Sequence, residues 1–77
     1  MTKRELITAI QVEEAKAWKQ LGEVKDAFGV DSEQVARARS AWSSLFNLRE
    51  QLGLPGLSLL ELLEMDLLPA RFNPQAA

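Results

Sequence analysis

The chain has no cysteine and no histidine. The first absence excludes disulfides and thiolate metal sites. The second removes the commonest general base and the commonest zinc ligand. An enzyme built on this sequence would have to work with carboxylates, lysines and serines alone. Catalysis is therefore the third-ranked reading, and no catalytic, cofactor-binding or metal-binding residue is singled out. Long apolar runs are missing as well. Nothing approaches the roughly 20 residues of a membrane span. Lys3, Arg4 and Glu5 lead into an amphipathic stretch rather than a continuously apolar one, so no signal peptide is expected. Charge of one sign is also lacking. The net charge is −2, residues 1–57 hold eight basic and eight acidic side chains, and residues 58–68 add only Glu61, Glu64 and Asp66. A nucleic-acid footprint needs a concentrated basic face. These exclusions leave a soluble, cytoplasmic, single-domain protein whose 77 residues can build only a thin core.

What is present is helical punctuation. Thr2 with Glu5, Asp31 with Gln34 and Ser58 with Glu61 have the spacing of capping boxes, in which two side chains satisfy each other's orphan backbone N–H groups. Met1 and Leu6, Val30 and Val35, and Leu57 and Leu62 frame them as hydrophobic staples. Gly29 and Gly53 follow Phe28 and Leu52 as left-handed stops. Val30 and Leu54 then stand where a Schellman turn places an apolar contact, back onto Val24 and Leu48. Pro55 blocks a restart. These signals predict an all-α fold with helices over about 3–28, 32–52 and 59–67. Residues 1–68 form the domain, and residues 69–77 are expected to be a mobile tail.

The first two helices carry matching apolar seams. Ile7, Ile10, Glu14, Ala17, Leu21, Val24 and Phe28 follow a 3-4 spacing, as do Val35, Ala38, Trp42, Leu45, Arg49 and Leu52. A three-residue connection makes the helices an antiparallel hairpin. Folding the seams together pairs Val24 with Val35, Leu21 with Ala38, Ala17 with Trp42, Glu14 with Leu45, Ile10 with Arg49 and Ile7 with Leu52. Large faces small at Leu21–Ala38 and Ala17–Trp42. This register leaves Glu14 one layer from Arg49, about 6 Å along the axis at about 1.5 Å per residue. An arginine reaches that far. The seam therefore predicts an ion pair between Glu14 and Arg49, within or between chains. The bland alternative has both side chains snorkelling to water.

Other apolar residues lie off the seam: Leu6, Val12 and Trp18 on the first helix, and Ala41, Phe46 and Leu48 on the second. The third helix is nearly apolar all round, with Leu59, Leu60, Leu62, Leu63 and Leu67 on one arc. Monomers avoid contiguous exposed patches of this kind. The expectation is a homodimer, a four-helix-type bundle closed by the short third helices. Its oligomer or partner interface would include Leu6, Trp18, Phe46, Leu48, Leu59, Leu60, Leu62, Leu63 and Leu67.

Three sharper readings stand beside this one. Leu59-Leu60-Glu61-Leu62-Leu63 matches the L-x-x-L-L box that docks into receptor grooves, but any leucine-rich amphipathic helix does so too, and an unidentified protein partner there is the looser form. Lys16, Lys19, Arg37 and Arg39 could form a basic side near the turn, although i,i+4 pairs such as Lys19–Glu23 and Glu33–Arg37 would neutralise it. Trp18 and Trp42 could stack on a ligand, but Trp42 has seam spacing. The leading function is thus a non-enzymatic interaction or assembly protein acting through self-association. The runner-up is a small nucleic-acid-binding or regulatory accessory protein using the basic side. The segments "EEAKAW", "FGVDS" and "ARARSAW" resemble small helical-hairpin proteins of bacterial and phage genomes. The resemblance covers residues 2–53 and implies a hairpin fold, with no activity and no functional residues attached.

Overall fold

The structure, a computed structural model, describes residues 2–69. It is all-α: α1 (Lys3–Phe28), α2 (Glu33–Gln51) and α3 (Leu59–Glu64) follow in that order, with no strand among the described residues. The helices α1 and α2 pack against each other; Leu21 and Val35 of the predicted seam are buried, whereas its end members Phe28 and Leu52 are more than half exposed because nothing covers the ends of the hairpin on that side. Thr2 caps α1, its hydroxyl oxygen accepting from the Glu5 amide at 3.1 Å. The third helix has the full capping box: Ser58 Oγ accepts from the Glu61 amide, and Glu61 Oε1 accepts from the Ser58 amide, both at 3.2 Å.

The turn between α1 and α2 differs from the sequence reading in two respects, and α2 also ends one residue earlier than expected, at Gln51. The cap of α2 is Ser32, not Asp31, and α2 begins one residue later than expected. Ser32 Oγ accepts from the Val35 amide at 3.2 Å and donates to the Gly29 carbonyl at 2.9 Å. A hydroxyl does both, whereas a carboxylate only accepts. Serine can therefore cap the helix and close the turn together. The exit from α1 differs as well. Gly29 has φ 85° and ψ 158°, a region essentially restricted to glycine but extended rather than left-handed helical. The chain consequently leaves the helix outward, and Val30 is exposed instead of folding back onto Val24. Gly29→Ala is expected to cost about 1–3 kcal/mol. A Cβ there meets nothing within 4 Å, so a thermal melt would read backbone strain alone. An unchanged melt would mean that the turn relaxes freely.

At the far end Gly53 behaves as the sequence predicts. It is left-handed (φ 68°), and the Gly53 and Leu54 amides donate to the Glu50 and Arg49 carbonyls at 3.0 and 3.1 Å. These are the two bonds of a Schellman motif.

The third helix is shorter than expected, ending at Glu64 rather than 67. The reason is Asp66, which takes φ 56°, a conformation that aspartate tolerates better than most residues. With it come a second Schellman pair, Asp66 N to Leu63 O at 3.2 Å and Leu67 N to Leu62 O at 2.8 Å. The chain turns at that point, and Leu67, Leu68 and Pro69 are buried. Pro69, placed at the head of a mobile tail by the sequence reading, is fully buried. Residues 70–77 lie outside the described residues, as does Met1.

The core is accordingly thin and has two parts. The seam buries Leu21 and Val35. The second part lies where the C-terminal segment crosses one flank of the hairpin and buries Ala15, Gly22, Leu67, Leu68 and Pro69. The most exposed leucines are on α3: Leu59 and Leu60 are 69% and 64% exposed. That short helix is thus held at its ends while its outer edge faces water.

Candidate functional site

The seam brings Glu14 and Arg49 together. Arg49 Nε donates to Glu14 Oε1 at 3.1 Å, with side chains 10% (Arg49) and 15% (Glu14) exposed. Its Nη1 donates to the Leu54 carbonyl at 2.8 Å. Its Nη2 lies 3.8 Å from Glu50 Oε1. The guanidinium carbon lies 5.2 Å from the Phe46 ring centroid, close enough for a cation–π contribution. Arg49 therefore does two jobs that the seam spacing did not separate. It answers the Glu14 charge between the helices, and it holds the start of the C-terminal segment. Gly56 lies over the same guanidinium, and a Cβ there would meet its carbon at 3.6 Å.

Two more side chains of α1 hold this segment by its backbone. Gln11 Nε2 donates to the Pro55 carbonyl at 2.8 Å. Lys19 Nζ donates to the Asp66 carbonyl at 2.7 Å and lies 3.7 Å from its carboxylate. Lys19 is thus turned toward Asp66, not toward Glu23 as helix spacing suggested. Gly22 completes the row. A Cβ on it would sit 2.9 Å from two ring carbons of Pro69. Gln11, Ala15, Trp18 and Gly22 form one stripe of α1, about 100° round from the seam. The sequence reading overlooked Gly22. Its signal was glycine inside a long helix, where it costs about 1 kcal/mol relative to alanine and so implies a close neighbour.

Between the segment and the hairpin lies a shallow pocket of about 250 Å³, open to solvent, lined by Trp18, Trp42, Phe46, Leu57, Leu62 and the Glu14–Arg49 pair, among others. The Trp42 and Phe46 rings stack at 5.1 Å, tilted by 36°. The residues expected to share one interface are therefore divided. Trp18, Phe46 and Leu62 line this pocket, Leu67 is buried, and Leu63 is half-buried. Leu59 and Leu60 point to water. Leu6 and Leu48 belong to the other flank of the seam, beyond the reach of the C-terminal segment.

That other flank is open. A groove of about 330 Å³ runs along its turn half, lined by Ala17, Gln20, Val24 and Phe28 of α1 and Gln34, Arg37, Ala38 and Ala41 of α2. Four large apolar residues surround it or continue its line toward the open end of the hairpin: Leu6 at 52% exposure, Phe28 at 58%, Leu48 at 42% and Leu52 at 54%. The charges at its edges are matched within the chain. Arg37 Nη2 lies 2.7 Å from Glu33 and Lys16 Nζ lies 3.5 Å from Glu13. With Lys19 committed to Asp66, three of the four side chains of the expected basic side are already paired.

Among the described residues no three His, Cys, Asp or Glu side chains cluster as metal ligands would, and no helix is long and apolar enough to cross a membrane. Fold and site together define an all-α helical hairpin with a docked C-terminal segment and one uncovered apolar flank. No family model matches the chain, and neither a curated protein nor a solved structure resembles it significantly.

Proposed function

We propose that this chain is a non-enzymatic interaction protein that assembles by self-association of its hairpin into a four-helix bundle. One observation carries the reading: the open flank. Leu6, Phe28, Leu48 and Leu52 are each between 42% and 58% exposed; Phe28 lines the apolar groove at the turn half, and helical spacing puts the other three on the same flank toward the open end. Contiguous exposed apolar surface of this kind marks an association site. The thinness of the monomer core supports the same reading, since chains of this size commonly add stability by oligomerising. The outward leucines of α3 leave a second surface for a different protein. A cytoplasmic location fits the same picture, because a chain without cysteine gains nothing from an oxidising compartment.

Sedimentation equilibrium is the test. A dimer is expected at tens of micromolar, and Leu48→Glu is expected to shift the equilibrium toward monomer by more than tenfold while leaving the helical content intact. A monodisperse monomer at that concentration would sink the reading. Binding to generic duplex DNA that weakens steeply with added salt would instead favour the nucleic-acid alternative, for which the paired state of Lys16, Lys19 and Arg37 is unfavourable.

A further inference from the structure

The open flank is not uniform along its length. Its turn half is hollow, because α2 presents Ala38 and Ala41 there and α1 presents Ala17. Its open-end half is raised, because α2 presents Leu48 and Leu52 and α1 presents Leu6. One face thus carries a hollow at one end and a ridge at the other.

We propose that the second copy docks on this flank antiparallel, about a two-fold axis that crosses the hairpin at Ala17, so that each ridge fills the other chain's hollow. The inference rests on the self-association reading and adds its geometry. On α1 the arrangement sets Leu6 against the partner's Phe28 and Ile10 against the partner's Val24, with Ala17 meeting the partner's Ala17 at the axis. On α2 it sets Leu48 against the partner's Ala38 and Leu45 against the partner's Ala41. Large meets small on α2, as layers must to interdigitate without voids. The size match on α2 and the pairs on α1 are compatible with one axis to within a residue. The α1 pairs centre on residue 17 and the α2 pairs on residue 43, and the intramolecular register places residue 42 opposite residue 17. A two-fold contact requires that the same patch serve both chains, and a hollow and a ridge on one face satisfy that. The alternative two-fold, with like ends together, would place ridge on ridge and leave both hollows empty.

Size and charge agree. The α1 helix has 26 residues, so the face is about 39 Å long. On α2, with 19 residues, it is about 29 Å long, so at about 10 Å per helix width the footprint is roughly 680 Å², within the roughly 600–1,000 Å² per partner of a stable complex. The flanking charges Glu13 and Arg37 are already matched within the chain by Lys16 and Glu33, so these two do not need a partner across the contact. All neighbouring helices then run antiparallel, the arrangement of a simple four-helix bundle.

The absence of cysteine makes a direct test possible. Leu6 and Phe28 are more than half exposed, so Leu6→Cys and Phe28→Cys leave the hairpin core untouched. Within one chain the two positions lie about 33 Å apart, at about 1.5 Å per residue, and cannot bridge. An equimolar mixture of the two variants is expected to oxidise to a disulfide-linked heterodimer, while each variant alone stays uncrosslinked. Self-crosslinking of Leu6→Cys alone would show like ends meeting and overturn the inference. No crosslink, with a dimer still seen by sedimentation, would overturn the inference and leave self-association standing. A monomer by sedimentation would remove the underlying reading itself.

Discussion

Arg49→Ala is expected to destabilise the chain by about 3–5 kcal/mol, the usual consequence of removing one member of a buried ion pair and stranding the other. A domain of this length is stable by only about 4–12 kcal/mol, so the variant should melt tens of degrees lower or be partly unfolded at room temperature. Glu14→Ala should cost less. Arg49→Ala strands Glu14, whereas Glu14→Ala leaves Arg49 with Glu50 3.8 Å away, and Arg49 also donates to the Leu54 carbonyl and packs on Phe46. Its loss therefore loosens the start of the C-terminal segment too. The double variant Glu14→Leu/Arg49→Leu removes both charges and fills the seam with apolar side chains. It should recover the hairpin to within about 1 kcal/mol of wild type, the remainder being the lost bond to Leu54. Chemical denaturation measures all three. Single variants that melt like wild type would mean that the pair is solvated and contributes no specificity to the seam.

Gly22→Leu should have the second largest effect. In an isolated helix the change is favourable, since glycine is about 1 kcal/mol worse than most helix formers. Here even a Cβ would sit 2.9 Å from the Pro69 ring, and a leucine side chain excludes the docked proline altogether. Releasing Leu67, Leu68 and Pro69 to water would forfeit about 1.5–3 kcal/mol for each leucine. The net loss should be about 2–5 kcal/mol after the helix gain. The loss should be local: amides of residues 66–68 should exchange faster while those of the seam around Leu21 and Val35 stay protected. Gly22→Ala/Pro69→Ala removes the ring as well as the hydrogen, and should be better tolerated than Gly22→Ala alone. A Gly22→Leu chain with wild-type exchange at residues 66–68 would show that the segment docks elsewhere.

The parts of the molecule that could be read in advance are those governed by local rules. The spacing at the middle of the seam, a short connection and the caps at Thr2 and Ser58 all follow from backbone geometry within a few residues, and the structure keeps them, with a connection of four residues, 29–32, in place of three. The errors arose where two local rules competed. Asp31 and Ser32 both suit an N-cap, and the choice fell to the residue whose hydroxyl could also close the turn onto Gly29. Gly29 and Gly53 look alike in sequence, yet only Gly53 is left-handed helical, because only there does the chain double back with a Schellman pair. Leu67 has helical spacing, but Asp66 turns the chain one residue before it.

The Glu14–Arg49 pair lies between the two kinds of knowledge. Its possibility was written in the seam, since one acidic and one basic position fall a layer apart once the hairpin closes. Its second role was not, because the carbonyl of Leu54 comes within reach only after Gly53 reverses the chain. By itself, then, the sequence determined the helices, their antiparallel pairing and the meeting of the two charges, since each depends on periodicity or on a turn of a few residues. Only the tertiary structure decided which flank of the hairpin is covered. That choice depends on the path of residues 53–69, and on one close approach, Pro69 against Gly22, between residues far apart in the chain. Covering the Trp18 flank leaves the large apolar residues of the other flank, Leu6 and Leu48 among them, exposed to water, and it is there that the proposed second copy would dock.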